Sequence, residues 1–136
     1  MRTVVNGISI NPSKEILLVK KKNIRILPGG KIEVDQQGKE IEIDTQALQR
    51  EIFEELSKLV INTDTAKHYK DFTGITPHSK QPVTTRTYFI DIPEGKNIIP
   101  SAEIKEAKYF RMDEIYILCS DITKNILTTL RQDNLL

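Results

Sequence analysis

Within Arg50-Glu51-Ile52-Phe53-Glu54-Glu55, three glutamates stand at i, i+3 and i+4. On a helix that spacing sets Glu51, Glu54 and Glu55 on one face, where neighbouring like charges repel by roughly 0.2–0.5 kcal/mol per pair. A hard divalent cation such as Mg²⁺ or Mn²⁺ prefers carboxylate oxygens and turns that repulsion into binding. A plainer reading also fits the helix alone: a solvated face, with Lys58 or Arg50 pairing with Glu54 at i+4. Upstream, Pro28-Gly29-Gly30-Lys31-Ile32-Glu33 places two adjacent glycines where backbone can approach a ligand and offer carbonyls or amides to metal or phosphate. The spacing of a P-loop is absent, and a simple turn is the ordinary use of such a triplet.

These residues need elements to position them. Arg2 to Ile10 is rich in β-branched residues and ends at Asn11-Pro12, so it reads as a strand, with Glu15 to Lys20 as its hairpin partner. Lys20-Lys21-Lys22-Asn23 reads as a turn before the alternating strand Ile24 to Leu27, its lysines solvated in preference to the alternative of meeting a polyphosphate. Pro28-Gly29-Gly30 breaks the pattern. Lys31 to Val34 and Lys39 to Ile43 read as short strands around a turn at Asp35-Gln36-Gln37-Gly38. Leu48, Ile52, Leu56 and Leu59 then recur at helical spacing, with Asp44 or Thr45 as the expected cap. Strands follow over Lys67 to Ile75, Val83 to Ile92 and Ala107 to Arg111, with connections at Thr76–Pro82 and Pro93–Ser101. A closing helix over Asp121 to Gln132 puts Ile122, Ile126, Leu127 and Leu130 on one face. Phe72, Tyr88 and Phe89 are expected in the core.

Taken together, the residues from Leu27 onward resemble the Nudix box, G-x5-E-x7-R-E-U-x-E-E-x-G-U with U aliphatic. Glu42 is followed by seven residues and then Arg50-Glu51-Ile52-Phe53-Glu54-Glu55, and Leu27 to Glu33 is similar to the segment that opens the box. Glu103 to Phe110 with Asp113-Glu114-Ile115 is similar to the family's region after it. There are two departures: eleven residues rather than five separate Gly30 from Glu42, and Ser57-Lys58 replaces the closing glycine and aliphatic residue. The extra residues fit a protruding hairpin over Val34 to Ile41. A left-handed residue at Ser57 or Lys58 costs roughly 1–2 kcal/mol, so the helix is expected to continue toward Leu59.

The resemblance implies an α/β/α sandwich with a mixed sheet, one Nudix-like domain over residues 1–136, and hydrolysis of a pyrophosphate bond in a nucleoside diphosphate linked to another group. It also implies Mg²⁺ or Mn²⁺ held by Glu51, Glu54 and Glu55 with the Gly30 carbonyl and Glu103. The metal neutralises phosphate charge and activates water. Glu51 orients or deprotonates that water, and Arg50 holds the carboxylates in place. Gly29, Gly30 and Lys31 are the substrate contacts. The alternative is a Nudix fold that binds a nucleotide as a sensor with little or no turnover.

The bulk composition narrows the field. The chain has 136 residues, formal net charge +1, 38% hydrophobic and 29% charged residues, as a soluble globular protein has. That charge gives no general case for nucleic acid or an anionic membrane as partner, nor for 5′-end processing of RNA. Ile16 to Val19, the longest aliphatic run near the start, is too short for a signal-peptide core or a membrane span. A single cysteine, Cys119, excludes an intrachain disulfide and fits a cytoplasmic protein; its apolar neighbours mark it as packing. His68 and His78 lack partners at zinc-ligand spacing. The expected partner is a small nucleotide, and a homodimer is left open.

Overall fold

The computed structural model describes residues 2–93 and 97–136. Two sheets form. The first is mixed, in the order β4 (Gly29–Lys31), β1 (Arg2–Ile8), β6 (Pro82–Phe89), β5 (Lys67–Ile75); β1 runs parallel to β6 and the other pairs are antiparallel. The second is antiparallel, in the order β3 (Ile24–Ile26), β2 (Ile16–Lys21), β7 (Glu106–Phe110). Helix α1 (Asp44–Glu55) packs on β1 and β4, α3 (Asp121–Gln132) packs on β5, and the short α2 (Met112–Ile115) follows β7. The expected mixed sheet between helices is present, completed by the second sheet.

The central strand β2 explains why both helices are needed. Ile16 to Val19 are all fully buried, as a strand covered on both faces must be. Leu17 and Val19 join Val5, Leu48, Ile52 and Leu56 beneath α1. Ile16 and Leu18 join Ile8, Ile126, Leu127 and Leu130 beneath α3. Truncating any one of these side chains to alanine costs about 2–5 kcal/mol. Phe72 and Phe89 pack against the second cluster and Tyr88 against the first. Cys119 is buried, its thiol pushed up to about 11 by burial.

Five local expectations are corrected. The β1–β2 hairpin is reduced to an isolated bridge between Ile10 and Ile16, with bonds from the Leu17 N–H to Ser9 O and from the Asn11 N–H to Glu15 O. Both edges of β1 are already taken by β4 and β6, so the chain crosses between sheets at Ser9–Ile10. The Pro28-Gly29-Gly30 break does not interrupt pairing, because Gly29 and Gly30 enter β4. The strands expected on either side of Asp35–Gly38 do not form; a tight turn does, with the Asp35 carboxylate accepting the N–H groups of Gln37 and Lys39, and one bridge joins Val34 to Glu40. Helix α1 begins at Asp44 behind an Ile43 cap position whose N–H is taken by the Gln46 side chain, because the Asp44 carboxylate is engaged by Arg86 and Tyr88. Of the expected connection over Pro93–Ser101, residues 94–96 lie outside the described residues.

The fifth correction is at the end of α1. The helix stops at Glu55, and Ser57 (φ 48°) and Lys58 (φ 70°) are both left-handed. The Lys58 N–H reaches back to Phe53 O at 2.8 Å, the long closing bond of a Schellman turn. The reversal returns Leu59 and Ile61 to the core beneath α1, and that burial offsets the backbone strain. Ser57 occupies the position at which the Nudix pattern has glycine, so the geometry is kept where the residue is not. Ser57→Gly is therefore expected to stabilise the protein by about 1 kcal/mol, read as a rise in Tm of a few degrees; an unchanged or lower Tm would contradict this account of the helix end.

Candidate active site

The site is built where α1 lies across β4. Asn6 on β1 donates from Nδ2 to Leu27 O at 3.1 Å and Pro28 O at 3.3 Å, and the Gly7 N–H donates to Pro28 O. These bonds fix the path of the chain into Gly29. At φ 144°, Gly29 adopts a conformation closed to other residues, and a Cβ there would collide with Val5 O. Gly30 is required for a different reason: a Cβ would occupy the place of the Glu51 carboxyl group. The two glycines thus let a glutamate-bearing helix lie directly against a strand.

The three carboxylates share a face but not an environment. Glu55 is 5% exposed, and its Oε1 accepts the Gly29 N–H at 2.9 Å. Burial pushes its carboxyl up to about 8 from 4.5; the Gly29 N–H and Lys21 act against this, while Glu51 and Glu103 add to it. The Glu51 side chain is 18% exposed and is also held above the ordinary range by burial, with Arg50 pulling the other way. Glu54, 57% exposed, faces water. No basic residue stands in the last turn of α1, where the helix dipole disfavours anions.

Arg50 is the hub of the cluster. Its guanidinium contacts Glu42 at 2.6 Å, Glu51 at 3.0 Å and Lys31 O at 3.0 Å, with Glu33 and Glu54 each at 3.8 Å. Arg50 draws Glu42 below the usual carboxylate range, aided by the Glu33 N–H and opposed by burial. The extra residues between Gly30 and Glu42 therefore do not displace Glu42, which returns to the arginine. Of the two pairings expected for Glu54 on a solvated face, the one with Arg50 forms at 3.8 Å, while Lys58, carried past the end of the helix, makes no ion pair with Glu54 among the described residues.

This donor set fits a hard divalent cation. It combines a carboxylate sunk in the core with one N–H for a partner, a second squeezed over Gly30 and a third at the rim, with Lys21 acting on the first two at a distance and no ion pair to Glu55 among the described residues. Among the described residues no three acidic or imidazole groups are drawn together at ligand distance. Arg50 holds Glu51 and the Gly29 N–H holds Glu55, so side-chain rotation is needed to gather them.

Beside Glu51 opens a cleft of about 450 Å³, walled by Val4, Ile26, Leu27, Val83, Ile122 and Ile126. Gly29, Gly30 and Lys31 line it, as do Lys21 and Lys22 of the lysine turn and one cation that the sequence did not single out, Arg2. The lysine turn read as solvated thus flanks the cleft. His78 sits on its wall with Thr76 and Ser79, whereas His68 pairs with Asp71 elsewhere. Glu51 is the single acidic residue among the described residues that line it.

A family model described as the NUDIX domain matches residues 1–130, and the chain belongs to that family. No curated protein matches it. Its fold is shared by the MutT protein from Methanosarcina mazei Go1 (TM-score 0.76, 16% identity, 98% of this chain and 94% of that one). It is also shared by the MutT NUDIX hydrolase from Burkholderia pseudomallei (0.73, 20%, 93% and 95%). A third is a bifunctional NMN adenylyltransferase/ADP ribose pyrophosphatase from Francisella tularensis, complexed with AMP and a manganese ion (0.71, 21%, 97% and 41%). The chain is a Nudix-type pyrophosphohydrolase acting on acid anhydrides, at family level those of nucleoside diphosphates, and divalent metals are general in the family.

A carboxyl whose pKa is raised on folding stabilises the protein while it is protonated, and that contribution is lost as pH rises from the unfolded value of 4.5 toward about 8. Metal-free protein is therefore expected to melt at a higher temperature at pH 5.5 than at pH 8.5, by the equivalent of a few kcal/mol. Glu55→Gln, which retains an acceptor for the Gly29 N–H, should flatten that difference. A wild-type melting curve in chelator that does not respond to pH over this range would contradict the burial of an ionisable group here.

Proposed function

We propose that the chain is a metal-dependent nucleotide pyrophosphohydrolase in which Glu51, Glu54 and Glu55, with the Gly30 carbonyl and Glu103, hold Mg²⁺ or Mn²⁺. The observation that carries this reading is Glu55: a carboxyl buried in the core, on the charged face of α1, with one backbone N–H as its hydrogen-bond partner. Glu103 supports it, being exposed yet close enough to Glu55 to raise its pKa. The bound metal would neutralise pyrophosphate charge and lower the pKa of an attacking water.

The protein's own groups do the remaining work. Glu51, between the carboxylate cluster and the cleft, orients the water and accepts its proton. Arg50 is a positioning residue: it binds Glu51, Glu42 and the Lys31 carbonyl and need not touch the substrate. Gly29 and Gly30 admit the phosphates close to backbone, and Lys31 and Lys21 lie on the cleft beside them to bind negative charge. The aliphatic walls exclude water from the nucleoside. A cytoplasmic location accords with the single buried cysteine, and among the described residues no helix is long and apolar enough to cross a membrane.

A panel of nucleoside triphosphates, damaged nucleotides, nucleotide sugars and dinucleoside polyphosphates, assayed for phosphate or pyrophosphate release with Mg²⁺ and Mn²⁺, tests the reading. Turnover is expected to disappear in excess chelator. Glu54→Gln should lower it at least about a hundredfold, some 2.7 kcal/mol of transition-state stabilisation, while leaving metal-free stability unchanged or slightly higher. Wild-type turnover by Glu54→Gln, or undiminished activity in chelator, would overturn it. Tight nucleotide binding without turnover would favour the sensor.

A further inference from the structure

The cleft carries cations at two separate places, and only one is explained by phosphate. Lys31 adjoins Gly30, and Lys21 acts electrostatically on both Glu51 and Glu55. Arg2 is elsewhere. It opens β1 opposite Val83 of β6, whereas Val5 of β1 faces Gly30 of β4. Three residues of strand separate Arg2 from the Gly30 level, about 10 Å, and two from Lys31, which lies opposite Val4; the longer distance is comparable with the reach of a nucleoside from its 5′-phosphate to the far edge of its base. At that end the cleft is bounded by Val4, Val83 and the Thr76–Ser79 turn.

Arg2 is also unlike the arginines that hold the fold. Arg25, Arg50, Arg86 and Arg131 all contact carboxylates. The Arg2 side chain has no hydrogen-bond or ion-pair partner among the described residues, and its Nε is buried from water as well. A buried donor without an acceptor is unfavourable unless something supplies one. No carboxylate is at hand there, since Glu51 is the only acidic side chain among the described residues lining the cleft and lies beside Gly30, and the Arg2 side chain takes none of the neighbouring hydroxyls as acceptor.

We propose that Arg2 is a specificity residue, its planar fork reading two adjacent acceptors on the edge of the substrate's base; this rests on the cleft being the nucleotide site proposed above. Guanine offers such a pair at O6 and N7, and cytosine at O2 and N3. Adenine sets a donor, its N6 amino group, beside each acceptor on those edges. The substrate class is then guanine or cytosine nucleotides in preference to adenine nucleotides. The aliphatic side chains Val4, Val83, Ile122 and Ile126 hold the flat ring, and Arg2 selects its edge.

The test compares GTP, CTP and ATP as substrates of wild type, Arg2→Ala, Arg2→Lys and Arg2→Gln. Binding of GMP, CMP and AMP without metal is measured alongside by calorimetry. Wild type should favour guanine or cytosine over adenine by roughly ten- to hundredfold, the discrimination of one good bidentate pair, chiefly through KM; which of the two is preferred identifies the base. Arg2→Ala should abolish the preference while changing adenine nucleotides less than about threefold. Arg2→Lys should not restore it, because an ammonium lacks the fork, and Arg2→Gln should shift it toward adenine. All variants should melt no lower than wild type, since Arg2 has no protein partner to lose. An equal loss for every base, as for a phosphate contact, or no loss at all, would overturn the inference and leave the hydrolase reading standing. Base-selective monophosphate binding that depends on Arg2, in a protein that hydrolyses none of these nucleotides, would uphold the inference and sink the hydrolase reading.

Discussion

Three carboxylates within five residues of one helix repel one another, and the protein holds them in place with one guanidinium and one backbone N–H. Arg50 binds Glu51 and, through Glu42 and the Lys31 carbonyl, ties the helix to the chain that leaves β4. Gly29 supplies the N–H for Glu55, and can do so only because Asn6 and Gly7 hold the preceding carbonyls and because glycine accepts the required φ. Remove the compact backbone at Gly29–Gly30 and α1 cannot lie close enough for either contact. The unusual electrostatics of the site therefore follow from a steric fact about two glycines.

Much of this was legible in the residues. The period of Leu48, Ile52 and Leu56 gives the helix, and the glutamate spacing gives its charged face, because both depend on local geometry alone. The spacing from Glu42 to Arg50 was informative for the same reason. The wider gap between Gly30 and Glu42 was less damaging than its length suggested, since a turn closed by the Asp35 carboxylate returns the chain to its starting point. What could not be read depends on partners distant in the chain. β1 is adjacent in sequence to β2 but pairs with β4 and β6, a competition between edges that no local pattern encodes. Ser57 adopts a glycine-like conformation because Leu59 and Ile61 must be buried, so tertiary packing overrides local preference there. The different burial of Glu51, Glu54 and Glu55 depends on which residues cover each.

Charge distribution shows the same division. A formal net charge of +1 gives no hint of a basic site. Folding pairs most of the arginines with carboxylates and leaves Arg2, Lys21, Lys22 and Lys31 lining one cleft. On β1 the signal was present but ambiguous: Arg2, Val4 and Asn6 alternate onto one face, and a polar residue at the start of a strand reads as solvated. With its neighbours in place, that face separates a residue that positions the glycines from one that has no partner.

Burial favours the neutral form of Glu55, and its proposed role as a metal ligand then predicts a stoichiometric consequence. Mg²⁺ or Mn²⁺ titrated into the protein at pH 7, in buffers of different ionisation enthalpy, reports the protons released on binding directly. Release approaching one proton per site in wild type, lost in Glu55→Gln, is the predicted result. Tight metal binding with no proton release at pH 7 would contradict the account, because Glu55 would then already be ionised in the metal-free protein.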